Sequence, residues 1–150
     1  MIQRIQTVYL FVAFIASALL FFNIPVAVFQ ITSPVSVELP FNLMSKYESV
    51  STIPIIILNA LVVGLSFASI LLYSKRVLQF RLTMFAFLAE VIFIIVMFIV
   101  SIDSMQKHLK VEPSYKMGAI LPLISLVLLI LASKAIRKDE KLVKGTDRLR

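Results

Sequence analysis

The chain contains no cysteine. That excludes disulfides, thiolate metal sites and cysteine nucleophiles. Histidine is almost as scarce: His108 is the only one, and its neighbours Lys107 and Lys110 mark it as a solvated residue, not a ligand. Asp103 and Glu112 nearby are too sparse to hold a metal ion. There is no Walker loop, GxGxxG, HExxH or serine-nucleophile motif, so phosphate, dinucleotide and common hydrolytic chemistries have no carrier. The expectation is a chain with no catalytic residues, no metal and no cofactor. It also has no internal repeat and no low-complexity segment.

Charge is scarce too. Charged residues make up 15% of the chain and hydrophobic ones 60%, against about 25% and about 45–50% in an ordinary soluble domain. A core of 150 residues cannot hide that much apolar surface from water, so the natural solvent is a bilayer.

Four segments approach or exceed the ~18–20 apolar residues that cross ~30 Å of hydrocarbon. They are residues 7–29, 53–73, 82–102 and 117–135, followed by a tail at 136–150. Backbone groups in hydrocarbon must satisfy one another, so each segment is expected to be a helix. The first is longer than a signal-peptide core, although VAV at 26–28 resembles a cleavage site. It is read as an uncleaved span, kinked or ended near Pro25. The fold class expected is an all-α, four-transmembrane-helix bundle forming a single domain over 1–150. It has short outer loops and a basic amphipathic C-terminal helix. Alternation of Val35, Val37 and Leu39 with Ser36 and Glu38, between Pro34 and Pro40, leaves room for a small outer β-element.

Basic residues set the orientation. Eleven of the fifteen fall on one side, around Arg4, Lys75, Arg76, Arg81 and the tail. Lys46, Lys107, Lys110 and Lys116 fall on the other. The positive-inside rule then places both termini in the cytoplasm. Tyr9, Tyr73 and Tyr115 lie near span ends, where amphipathic rings suit the interface.

Helix association in lipid relies on close packing and hydrogen bonds. Ala60, Gly64 and Ala68 form a small-xxx-small stripe on the second span, and Ala13 and Ser17 repeat that spacing on the first. The stripe is expected to pack the bundle, with homodimerisation as the alternative.

Glu90 is the unusual residue. It lies nine residues, about 13 Å, beyond Arg81, with no other charge before Asp103. Insertion scales set an acid at that depth at up to ~3.5 kcal/mol. Kept neutral it costs less and still needs a hydrogen-bond partner. Ser17, Ser66 and Ser125 are expected at its depth beside Gly64, with Asn59 nearer the outside. Two readings follow: a structural knot that locks the bundle or meets a partner, and a proton or cation site lining a cavity.

The tail places Ala135, Ile136, Leu142, Val143 and Leu149 on one helical stripe and Arg137, Lys138, Lys141 and Lys144 on the rest. It is expected to bend along the inner surface, with Gly145 ending the helix. Its bases would meet anionic phospholipid, each worth about 1 kcal/mol near an anionic leaflet, or a membrane-complex partner. Nucleic acid is not expected, because no aromatics interleave the bases.

MIQRIQTVYL at 1–10, IRKDE at 136–140 and DRLR at 147–150 resemble the ends of a family of small four-helix inner-membrane proteins from Bacteroidota, known as a domain of unknown function. The resemblance implies a bacterial cytoplasmic membrane, four spans and an uncleaved first helix. It implies no activity and no catalytic residue. It also hints that Gln3, Arg4 and Gln6 meet the tail. Function is therefore expected to be that of a structural or accessory membrane subunit. A small transporter or proton-coupled channel built on Glu90 is the alternative.

Overall fold

A computed structural model describes residues 3–32, 36–43 and 52–147. The expectations that fall on Pro34, Val35, Lys46, Arg148, Leu149 and Arg150, and on the side chains of Gln3, Arg4, Val37, Leu39, Lys141 and Lys144, lie outside the described residues and side chains.

The uncharged runs do form helices: α1 (Gln3–Leu19), α2 (Ile53–Leu71), α3 (Arg76–Ile95) and α5 (Ile120–Asp147). Among the described residues three continuous helical stretches are long and apolar enough to cross a membrane: Ile53–Leu71, Arg76–Leu109 and Met117–Glu140. The apolar part of α1, Ile5–Leu19, is shorter. The bundle's outer surface is a belt of exposed apolar side chains, including Val8, Phe11, Ile57, Phe85, Ile92 and Val127. A belt of this size needs a nonpolar surround.

The first helix stops ten residues before the expected limit at Phe29. Three tight backbone bonds end it, from the N–H groups of Leu20, Phe21 and Phe22 to carbonyls three residues back. Asn23 then takes a left-handed φ of 55° and Pro25 follows, so the chain cannot continue as a helix. Residues 27–29 belong to a strand instead.

The third helix overruns its expected end. From Ile95 it passes through a π-helical segment, Val96–Ile102, into α4 (Asp103–Leu109). The Ser101 hydroxyl donates to the Val96 carbonyl five residues back (3.1 Å), within the wider turn. Lys110, left-handed at φ 55°, ends the run. At 34 residues, or about 50 Å, it outreaches the hydrocarbon. The end of this run that lies away from the chain termini, termed the outer end as a purely geometric label, carries the exposed Lys107–Asp103 pair (2.7 Å). His108 is exposed on this helix, not in a loop.

α1 packs against α2 and α5, and α3 packs against the same two helices. The result is a closed ring in which every neighbour is antiparallel. At the outer end sits a three-stranded antiparallel sheet, order β2-β1-β3. Its strands are β1 (Ala27–Thr32), β2 (Ser36–Phe41) and β3 (Pro113–Tyr115). Ala27 pairs with both Phe41 and Tyr115. Val26, Ala27 and Phe29 are buried in one cluster with Leu20, Ile55, Phe93 and Met97, which closes the bundle's outer mouth. The inner half has its own apolar cluster, built on Leu10, Ala13, Ala86, Leu129, Ala132 and Ile136.

The tail also differs from expectation. α5 runs unbroken to Asp147, through Gly145. Ile136 is fully buried, so α5 stays in the bundle past the point where the span was expected to end.

Candidate functional site

Each helix of the ring turns one polar side chain inward at a single level. These are Ser17, Asn59, Glu90 and Ser125, all with no exposed surface. The Asn59 amide donates to the Ser17 carbonyl (3.1 Å), and the Ser17 and Ser125 hydroxyls are 2.9 Å apart. That chain stitches α2 to α1 and α1 to α5. Glu90 completes the level from α3, near the Ser125 hydroxyl. Among the described residues neither Glu90 oxygen has a partner within hydrogen-bond distance, and Asn59 Oδ1 is also unpartnered.

This layer corrects the expected depths. Asn59 belongs to Glu90's level, not nearer the outside. Ser66 lies two helical turns inward of Asn59, buried and without a hydrogen-bond partner among the described residues. Counting from the tight turn between α2 and α3 explains the difference: Asn59 is twelve residues from Leu71, and Glu90 is fourteen from Arg76.

The small-residue stripe is not in the bundle interface. Ala60 and Gly64 are exposed and Ala68 only half-buried. A Cβ placed on Gly64 would meet nothing within 4 Å. The inward face of α2 is Ile55, Asn59, Val62, Ser66 and Ser69. On α1, by contrast, Ala13 and Ser17 are fully buried, as a packing stripe requires.

At the inner end, Lys75, Arg76, Val77, Leu78, Arg81 and Glu140 line a cleft of about 520 Å³. Val77 and Leu78 present half-exposed apolar surface beside the three cations. The Arg137 guanidinium stacks 4.7 Å from the centre of the Phe80 ring, fastening α5 to α3 at this level. Lys138 is exposed. Among the described residues no three His, Asp or Glu side chains group as a metal site would need.

Reading the sequence missed buried polar residues, among them Ser69, Gln79, Thr83 and Asp139; Gln6, expected to meet the tail, is buried as well. They lie near charged flanks and pass for interface residues. Their signal was periodic: Asn59, Ser66 and Ser69 on α2, and Gln79, Thr83 and Glu90 on α3, each fall on one helical face.

The family model for a domain of unknown function, DUF4293, matches residues 2–149, so the chain belongs to that family. No curated protein and no solved structure matches it.

Proposed function

We propose that this member of the family is a four-span protein of the bacterial cytoplasmic membrane, with both termini in the cytoplasm. It works as a structural or accessory subunit, without chemistry of its own. Support for the fourth span comes from the ring: α1 is aligned with α5 and α2 through Ser17, and so lies at the same depth as its neighbours. The observation that carries the accessory reading is the use of the polar groups. Ser17, Asn59 and Ser125 bond to other helices, which makes the level a fastening between helices. The inner cleft supplies the contact surface. Its cations suit a phospholipid phosphate and its apolar wall suits the first acyl carbons.

Native mass spectrometry of the full chain, purified in mild detergent, tests this reading. Anionic phospholipid should co-purify with the wild type and be lost on joint Lys75→Glu, Arg76→Glu and Arg81→Glu substitution. Equal lipid retention would remove the contact surface from the proposal. Deleting residues 137–150 should weaken recovery of a partner subunit if the tail docks there, and reporter fusions at both ends should read the cytoplasm.

One observation favours a second reading, a proton-coupled or cation site: the Glu90 carboxyl is buried, and neither oxygen has a hydrogen-bond partner among the described residues. Glu90→Gln keeps the shape and removes titration. An accessory subunit keeps its assembly after this change. Loss of a pH-dependent flux in vesicles would reverse the preference.

A further inference from the structure

The inner cleft carries more positive charge than an ordinary phospholipid would balance. Lys75, Arg76 and Arg81 line it against a single carboxylate, Glu140. Three cations against one anion leave the lining with two positive charges in excess. The bonds of the buried polar level bring the two sides of the cleft together. Glu140 is fifteen residues inward of Ser125, and Ser74 is fifteen inward of Asn59. The turn between α2 and α3 therefore stands level with Glu140 on α5.

Helix α3 begins in this turn and adds to the imbalance. Its N-cap is Lys75, without a side-chain cap, and its first turn holds no acid. The Gln79 N–H is the first to bond back, to the Lys75 carbonyl (2.9 Å), so the three N–H groups before it have no partner within the helix. A helix start carries partial positive charge and favours acids. Here it carries Lys75 and Arg76, which that charge opposes. A bound anion reverses the sign of the interaction.

The surroundings point to a lipid as the source of that anion. The apolar belt runs up to the cleft: Leu71, Val77 and Leu78 are exposed, and so is Tyr73 beside them, at the level where amphipathic rings meet headgroups. At about 520 Å³ the cleft falls within the ~300–1,000 Å³ of small-molecule sites. Charge then selects the headgroup. A phosphodiester brings one negative charge and leaves the lining positive. A terminal phosphate brings about two at pH 7, with three acceptor oxygens for three cations.

We infer, building on the lipid contact proposed above, that the inner cleft selects a lipid ending in a terminal phosphate over a phosphodiester lipid, and that Lys75, Arg76 and Arg81 hold it. The exposed Val77 and Leu78 take the first acyl carbons.

Native mass spectrometry of the full chain with phosphatidic acid or phosphatidylglycerol of identical acyl chains tests this. The wild type should hold phosphatidic acid about tenfold more tightly, the worth of one further charge-assisted hydrogen bond. Joint Lys75→Gln and Arg76→Gln substitution removes two charges, leaves the apolar wall and should abolish the difference. Equal retention of both lipids by the wild type overturns the headgroup preference and leaves the lipid contact standing. Retention of neither overturns both. A preference that survives the double substitution arises elsewhere and overturns the assignment to this cleft. Glycerol phosphate, a headgroup without chains, should not displace phosphatidic acid at equal concentration. Displacement would give the cleft to a soluble phosphate and overturn the lipid source.

Discussion

Gly118 is the residue at which a single methyl group should do most damage. It lies where the sheet meets the start of α5, and its N–H donates to the Pro25 carbonyl (3.1 Å). The neighbouring Lys116 N–H donates to Val26 O (2.9 Å). A Cβ at Gly118 would sit 2.6 Å from the Pro25 oxygen, 2.9 Å from its carbonyl carbon and 3.1 Å from Val26 Cα. Ordinary contact begins nearly 1 Å further out, at about 3.5 Å. All three atoms are backbone, so no side chain can rotate away. The segments must part, and the Gly118–Pro25 bond stretches beyond useful length. Overpacking costs about 1–3 kcal/mol and the lost bond about 1 kcal/mol, for a total of about 2–4 kcal/mol. At roughly 2–4 °C per kcal/mol for chains of this size, Gly118→Ala should lower the thermal midpoint by about 5–15 °C. The assay is circular dichroism at 222 nm on detergent-solubilised protein. A midpoint equal to wild type would refute the close approach of β1 to the start of α5, and with it the sealed outer mouth.

Gly64→Ala is the matched control: the added methyl meets open space, and alanine's helix propensity exceeds glycine's by about 1 kcal/mol, so the same melt should hold or rise. Asn59→Ala removes the 3.1 Å bond to Ser17 O and should cost about 0.6 kcal/mol, with ~1.7 kcal/mol as the upper bound seen for such bonds in membranes, read from the same thermal midpoint. Arg137→Ala removes the stacking on Phe80 and should cost about 0.5–1 kcal/mol. Hydrogen–deuterium exchange mass spectrometry should show faster exchange in α5 after residue 132, with α2 unchanged.

Much of the fold was legible in the residues because its cause is local. An uncharged run in hydrocarbon has one way to satisfy its backbone, so α2, α3 and α5 could be placed from composition. The β-element was legible in part: the period over 35–39 marked β2, but β1 was hidden within what read as the end of a span. Residues 27–29 are as apolar as the helix before them. Only the left-handed Asn23 and the pairings of Ala27 with Phe41 and Tyr115 separate strand from helix.

The candidate site was legible by identity and not by arrangement. Glu90 stands out in any reading of an uncharged segment. Its companions do not, because a lipid-facing surface and a packed interior are both apolar, and hydropathy no longer marks which face turns inward. That ambiguity put Ala60 and Gly64 in the core on paper and on the outside in the structure. It also hid Gln79 and Asp139 among the charged flanks.

Sequence alone determined the solvent of this protein, because transfer free energy sums residue by residue and needs no neighbours. It also marked the odd acid, for the same reason. Tertiary structure alone decided which polar groups share a level, which end of the bundle is closed, and that the small stripe faces outward. Those properties depend on the relative rotation and depth of four helices, and one turn of any of them would change every partner while leaving the composition untouched.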